Sequence, residues 1–225
     1  MIELKNVSFN YGGCDVLSEI NLQLQRGSFH FLTGPSGSGK TTLLNLCYQA
    51  LLPTTGMVRI FEQDVCEMTR DDIAKMRCRI GVVHQNCQFL DHLNVRENIR
   101  LPLVVSGCED EITLSNLDDL LAWVGLTERG DALPAELSGG ERQRAALARA
   151  IIMSPDLILA DEPTGNVDWE MAQRLMALLV ELNKMGKAIL IATHDLNLIR
   201  TVKSEVPARV LRINNTKLQM PGADL

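Results

Sequence analysis

Between Phe29 and Cys47 the chain passes from an apolar strand, through Gly34-Pro35-Ser36-Gly37-Ser38-Gly39-Lys40-Thr41, into an amphipathic helix. Phe29-His30-Phe31-Leu32-Thr33 alternates and is β-prone, while Leu43, Leu44, Leu46 and Cys47 recur at helical spacing. The glycine-rich turn thus sits where a phosphate-binding loop works, between a strand and the amino end of a helix. Its glycines let backbone N–H groups turn inward without steric cost, and the helix directs its partial positive end at the same spot. Lys40 adds a full charge. The Thr41 hydroxyl is a hard oxygen suited to a Mg²⁺ that bridges the last two phosphates. The bland alternative is a glycine-rich turn with an exposed lysine, and the flanking strand and helix weigh against it. The candidate triphosphate-binding residues are Gly34, Pro35, Ser36, Gly37, Ser38, Gly39, Lys40, Thr41 and Thr42.

The rest of the chain supplies an α/β context. Strands are expected at 2–7, 20–24 and 28–33, a strand pair around 57–61, and a short helix at 71–77 leading to the strand Ile80-Gly81-Val82-Val83. From Val95 to about Met153 the pattern is helical, with polar breaks at Ser106-Gly107-Cys108-Glu109-Asp110 and Arg129-Gly130-Asp131. That block is the candidate inserted subdomain, at about 86–155 within a single unit spanning 1–225. Leu157-Ile158-Leu159-Ala160 and Ala188-Ile189-Leu190-Ile191-Ala192 are continuously apolar, as strands buried on both faces are. Between them Ala172, Leu175, Met176, Leu179 and Leu182 make a helical stripe that Gly186 is placed to end.

Composition excludes some roles. A net charge of -6 with pI near 5.3 gives no broad attraction to polyphosphate, so nucleic acid is not expected as a partner. No apolar run approaches the ~20 residues that span a bilayer. Met1-Ile2-Glu3-Leu4-Lys5 looks like an alternating strand rather than a secretory signal, and the protein is expected in the cytoplasm. Cys14, Cys47, Cys66, Cys78, Cys87 and Cys108 are scattered without a C-x-x-C pair, the pattern of reduced, mostly packed thiols.

In a parallel sheet, ligands gather beyond the carboxyl ends of the strands, and Gly34 to Thr41, His84-Gln85, Asp161-Glu162 and His194 all fall at such ends. Asp161 suits Mg²⁺ binding, directly or through water. Glu162 is placed to orient and deprotonate the water that attacks the terminal phosphoryl group, a transfer governed by positioning and charge stabilisation. His194 is a candidate donor to the γ-phosphate and a support for Glu162. The amide of Gln85 is able to ligate Mg²⁺ or hold the attacking water; the alternative is a local backbone contact. Ser138 and Glu141 have capping-box spacing at a helix start, while Gly139-Gly140 bare the helix N–H groups as a second anion site.

Here the chain closely resembles the ATP-binding-cassette family. Gly34 to Thr41 match its Walker A loop, Leu157 to Glu162 its Walker B strand with the catalytic acid, Gln85 its Q-loop, Ser138 to Gln143 its signature, Gly165-Asn166-Val167-Asp168 its D-loop and His194 its H-loop. Tyr11, before Gly12-Gly13, matches the aromatic that stacks on adenine; packing in a hairpin core is the alternative. The resemblance implies a P-loop NTPase fold: a RecA-like core, an N-terminal antiparallel β subdomain and an inserted helical subdomain. It implies ATP and Mg²⁺ as ligands, Thr41, Gln85 and Asp161 at the metal, and Glu162, His194, Gln85 and Lys40 in catalysis. It further implies a homodimer formed on ATP binding, in which Ser138, Gly139, Gly140 and Glu141 face the ATP of the other copy and Asp168 lies in the D-loop.

Within the family, Leu93-Asn94-Val95-Arg96-Glu97-Asn98-Ile99, Leu101-Pro102-Leu103 and Asp161-Glu162-Pro163-Thr164-Gly165-Asn166 resemble the group of lipoprotein-release, macrolide-export and cell-division ATPases. Phe89-Leu90-Asp91-His92-Leu93 and Ala192 to Ile199 look most like the cell-division, FtsE-type branch. That branch implies an integral membrane partner, an FtsX-like permease docked near Gln85 and the helical insert, control of cell-wall hydrolysis, and a place on the cytoplasmic face of the inner membrane. The alternatives are an exporter ATPase of the same group and a soluble ATPase of the family acting on DNA or ribosomes. The chain departs from the family pattern at His84, in place of an aromatic, at Val167, in place of leucine, and at Trp169; none removes a catalytic group.

Overall fold

A computed structural model describes residues 1–108 and 111–219, without the side chains of 111–116. Glu109 and Asp110 of the expected polar break therefore lie outside the described residues.

Two sheets organise the chain. The first is antiparallel, in the order β2 (Asp15–Leu24), β1 (Ile2–Asn10), β4 (Thr55–Ile60), β5 (Gln63–Asp64). β1 and β2 run further than their alternation indicates. Asn6 and Glu19 adopt positive φ (50° and 52°), and the β1–β2 register shifts between Leu4 and Val7. A bulge of this kind resets which side chains face inward, so only the regular half of β2 shows period two.

The second sheet has the order β10 (Lys217–Gln219), β9 (Ala208–Asn214), β3 (Phe29–Thr33), β8 (Ala188–Ala192), β7 (Leu157–Asp161), β6 (Ile80–Val83). From β9 to β6 all neighbours are parallel, and β10 pairs antiparallel with β9. Every residue of β3, β7 and β8 is buried, as their apolar runs require when both faces are covered.

On one face α1 (Lys40–Cys47) joins the antiparallel sheet in a core built from Leu4, Ile20, Leu43, Leu46, Leu159 and Leu190. On the other, α6 (Trp169–Lys184) and α7 (Leu196–Lys203) bury Leu175, Leu179, Ile199 and Val202 against Phe31, Ile158 and Ile191. Each such side chain contributes roughly 1.5–3 kcal/mol on leaving water. Gly186 at φ 90° ends the α6 turn as expected.

Helix α2 (Arg70–Cys78) leads into β6 and packs Met76 into the α1-side core, and after β6 come α3 (Val95–Ser106), α4 (Glu111–Trp123) and α5 (Gly139–Ile151). Helices α3, α4 and α5 share a third core of Val95, Ile99, Leu117, Leu121, Ala145 and Ala148. Helix α5 also lends Ala146, Leu147 and Ile151 to the α6 side of the main sheet, so it belongs to both bodies. Among the described residues no helix is long and apolar enough to cross a membrane.

One expectation fails. Cys47 is buried, with its thiol pushed up to about 12 by burial, and Cys87 is half-buried, but Cys14, Cys66, Cys78 and Cys108 are exposed. They fall in turns and helix ends, where burial depends on what packs above them rather than on residue type.

Candidate nucleotide site

The glycine-rich loop leaves the end of β3 and is shaped by its neighbours. Gly34 has φ 150°, and a Cβ there would stand 2.7 Å from the Ile213 carbonyl and 2.7 Å from Ser38 Oγ. Gly39 caps α1 at φ 99°, where a Cβ would meet Leu17 Cδ2 at 2.9 Å. Both positions accept only glycine. No side chain caps α1 and no acid occupies its first turn, so its leading N–H groups face the loop unclaimed. Ser38 Oγ is buried without a protein partner. Lys40 Nζ curls over the loop, donating to the carbonyls of Gly34 (2.9 Å) and Pro35 (3.1 Å). Unclaimed donors around an ammonium fit a polyphosphate.

Strand order brings the remaining groups to this loop. β8 lies between β3 and β7, so His194, just past β8, stands between the Lys40 and Asp161 ends of its neighbours, and β6 delivers Gln85 from the far side. Thr41 Oγ1 donates to Asp161 Oδ2 at 2.5 Å. Burial holds the Asp161 carboxyl above the ordinary carboxylate range, with the Thr41 bond and the Lys40 charge pulling the other way. Thr41 and Asp161 offer hard oxygen donors of the type Mg²⁺ takes. No cluster of three or more His, Cys, Asp or Glu competes as a metal site among the described residues. A cation here would complete its shell with phosphate oxygens and water.

Glu162 follows Asp161 with φ 49°, a left-handed conformation that costs a glutamate on the order of 1–3 kcal/mol. The turn brings its carboxylate to His194. Its Oε1 lies 2.9 Å from His194 Nδ1, and the His194 side chain is 79% exposed against 15% for Glu162. The Tyr11 hydroxyl bonds Thr42 Oγ1 at 3.2 Å, while its ring meets Phe9 edge-on at 4.8 Å. At 66% exposure Tyr11 is a rim residue with a free face, not a hairpin core residue. A cleft of about 720 Å³ collects Tyr11, Gly34, Pro35, Ser36, Gly37, Gly39, Lys40, Thr41, Thr42, Gln85, Asp161, Glu162 and His194. Ser38 is behind its wall.

The signature residues are not brought to this cleft. Ser138 caps α5: its Oγ accepts from the Glu141 amide at 3.2 Å, and Glu141 Oε2 accepts from the Ser138 amide at 2.8 Å. Hydrogen bonds from Ser138 hold the Glu141 carboxyl below its usual range, and Arg129 Nε adds an ion pair at 3.1 Å. A Cβ on Gly140 would stand 2.9 Å from the Asn166 carbonyl, so its lack of a side chain serves packing against the 165–168 segment as well as any anion. Asp168 caps α6, accepting from the Met171 amide at 2.9 Å.

Several residues organise this region through contacts that the sequence reading did not assign. Arg149 donates to the Gln88 carbonyl at 2.5 Å and lies over the Phe89 ring, 4.8 Å from its centroid, anchoring the segment after Gln85. Fully buried Asn98 holds the 90–94 turn, donating to the carbonyls of Leu90, Leu93 and Asn94 and accepting from the Leu90 amide. Gln143 donates to the Glu162 carbonyl. Gln143 ends the signature match and Asn98 lies in the Leu93–Ile99 run, but only their place within apolar helical stripes hints at the buried contacts they make.

Comparison with known proteins agrees with this geometry. Residues 17–165 match the family model described as ABC transporter. The chain is 40% identical over 202 residues to the cell division ATP-binding protein FtsE of Haemophilus influenzae, covering 89% of this chain and 93% of that one. It is 34% identical over 223 residues to the macrolide export ATP-binding/permease protein MacB of Haemophilus ducreyi, but spans 31% of that longer protein. Among solved structures, a dimeric post-hydrolysis state of the ATP-binding cassette MJ0796 bound to ADP and Pi superposes with TM-score 0.87 and 31% identity, covering 98% of each chain.

Proposed function

Since this chain belongs to the ABC transporter family and is an ATP-hydrolysing subunit of it, we propose that it works as an FtsE-like ATPase that drives an FtsX-like integral membrane permease in cell division. The observation that carries the reading is the convergence of Lys40, the Thr41–Asp161 pair and the Glu162–His194 pair on one cleft.

The loop from Gly34 to Thr42 holds the phosphates of ATP and Tyr11 stacks on adenine. Thr41, Asp161 and Gln85 would hold Mg²⁺, which when bound would supply charge neutralisation to the triphosphate. Glu162 takes the proton of the attacking water, and His194 fixes its carboxylate and donates to the γ-phosphate. Two copies pair head to tail, each offering Ser138, Gly139, Gly140 and Glu141 to the ATP of the other, with Asp168 in the crossing D-loop. Magnitudes favour this division. A helix terminus contributes about 0.3–1 kcal/mol, or ~2 when partly buried, whereas a positioned donor to developing charge contributes ~2.7–4 kcal/mol. The signature helix therefore completes a site but does not make one.

The helices inserted at about 86–155 form the arm that meets the permease. Support comes from a groove of about 760 Å³ beside His84, lined by Val82, Leu101, Pro102, Val105 and Met153. Such docking places the protein on the cytoplasmic face of the inner membrane. The exporter reading has the weaker similarity, a partial match to a longer protein.

The test is Ser138→Arg. Its bulk and charge at the shared ATP should abolish ATP-driven pairing in sedimentation while each copy still binds ATP; undiminished pairing would place the signature contact elsewhere. Recovery of an FtsX-like permease with the chain from detergent-solubilised membranes supports the cell-division role, and recovery of an exporter permease overturns it.

A further inference from the structure

We propose that Gln143 is a positioning residue for hydrolysis, tying the helix that faces the partner copy's ATP to the backbone of Glu162 in its own site. The proposal rests on the reading of Glu162 as the base.

Gln143 is 1% exposed, and a buried amide stays in place only when hydrogen-bonded. Its Nε2 donates to the Glu162 carbonyl, and its Oε1 has no partner, so one bond orders the side chain. Glu162 is the residue that needs holding. Its φ of 49° is adopted only while the surroundings enforce it. On one side the Glu162 amide donates to the Ala192 carbonyl at 2.9 Å, extending the β7–β8 ladder. On the other, the Glu162 carbonyl accepts from the Gly165 amide at 3.2 Å and from Gln143. Glu162 is thus clamped between β8, which leads to His194, and α5, which begins at Ser138.

Helix α5 touches this loop at a second point, where Gly140 meets Asn166 and Val167. Ser138 and Gln143 ride on the same helix, separated by roughly 7.5 Å of axial rise. Displacement of α5 when Ser138 engages the partner's ATP therefore reaches the Glu162 carbonyl through Gln143. Lys40 and Thr41 are carried by the β3–α1 junction, and the Thr41 hydroxyl meets the Asp161 carboxylate rather than the Glu162 backbone that Gln143 holds. Gln143 accordingly governs turnover and leaves ATP binding alone.

Two variants remove the donor at similar volume: Gln143→Met and Gln143→Leu, neither of which carries an N–H or O–H. Steady-state hydrolysis of Mg-ATP by each, with Glu162→Gln alongside, is read together with the dissociation constant of a non-hydrolysable ATP analogue on the same sample. The expected result is a kcat lowered by about tenfold to a hundredfold, with KM and the analogue's dissociation constant within about twofold of the parent. Parent-like kcat in both variants while Glu162→Gln stalls would overturn the proposal. So would loss of nucleotide binding in step with kcat in both, which marks a scaffold role. Parent-like turnover in Glu162→Gln would instead remove Glu162 as the base, and the proposal with it.

Discussion

His194 Nδ1 stands 2.9 Å from Glu162 Oε1, although the two residues follow different strands and lie 32 positions apart. The contact exists because β7 and β8 are neighbours in parallel and end level, Asp161 opposite Ala192. The left-handed turn at Glu162 then lifts its carboxylate towards the strand on which His194 arrives.

Glu162→Gln should lower ATP hydrolysis by about a hundredfold or more, the usual contribution of a general base, while leaving ATP affinity within a few-fold. The shape and the His194 contact survive, but the amide accepts no proton. Phosphate release and equilibrium ATP binding on the same preparation check it; unchanged turnover removes Glu162 from its role.

Asp161→Asn should raise the melting temperature of the ligand-free protein and weaken the further rise that Mg-ATP gives. Burial raises the Asp161 pKa, so its ionised form opposes folding, and the stability it does contribute is lost as pH rises through that raised value. Asparagine keeps an acceptor for Thr41 and removes the charge. Thermal melts with and without Mg-ATP read both effects, and a lower ligand-free melting temperature contradicts the account.

Acid should destabilise the protein through His30. Burial, reinforced by Arg209, lowers its pKa from 6.5 to about 4, and its Nδ1 is buried without a partner. A depressed folded-state pKa means stability present above pH 6.5 and lost as pH falls towards 4, on the order of 2–3 kcal/mol for this one group. Urea midpoints at pH 7 and pH 5 should converge in His30→Leu; an equal acid loss in that variant assigns the effect to other groups.

Gly140→Ala should destabilise the chain, against the ~1 kcal/mol gain that helix propensity predicts for this exchange. The new Cβ would meet the Asn166 carbonyl at 2.9 Å, and displacing backbone in this way costs typically ~1–3 kcal/mol. Urea denaturation gives the sign, and a stabilised variant would mean that 165–168 yields freely.

Helix and strand type were legible wherever the pattern was regular: α6 by its stripe and Gly186, β7 and β8 by their unbroken apolar runs. The long β1–β2 hairpin was legible only in part, because bulges at Asn6 and Glu19 break the alternation that marks a strand. The exposed cysteines were misjudged because a thiol's burial reflects its neighbours in space.

The phosphate loop, the paired acids after β7 and the capped start of α5 are written in contiguous residues. Lys40 and Thr41 were named from the loop itself, whereas Asp161 and Glu162 were named by combining that loop with the ends of the parallel strands, and Ser138's role by the resemblance to a family. Folding decided the rest: that β8 inserts between β3 and β7, that Gln143 reaches Glu162, that Asn98 and Arg149 brace the turns beside Gln85, and that Gly140 leaves room for Asn166. Periodicity reports which face of an element is apolar, whereas these contacts depend on which element lies against that face, a choice made by the packing of the whole chain.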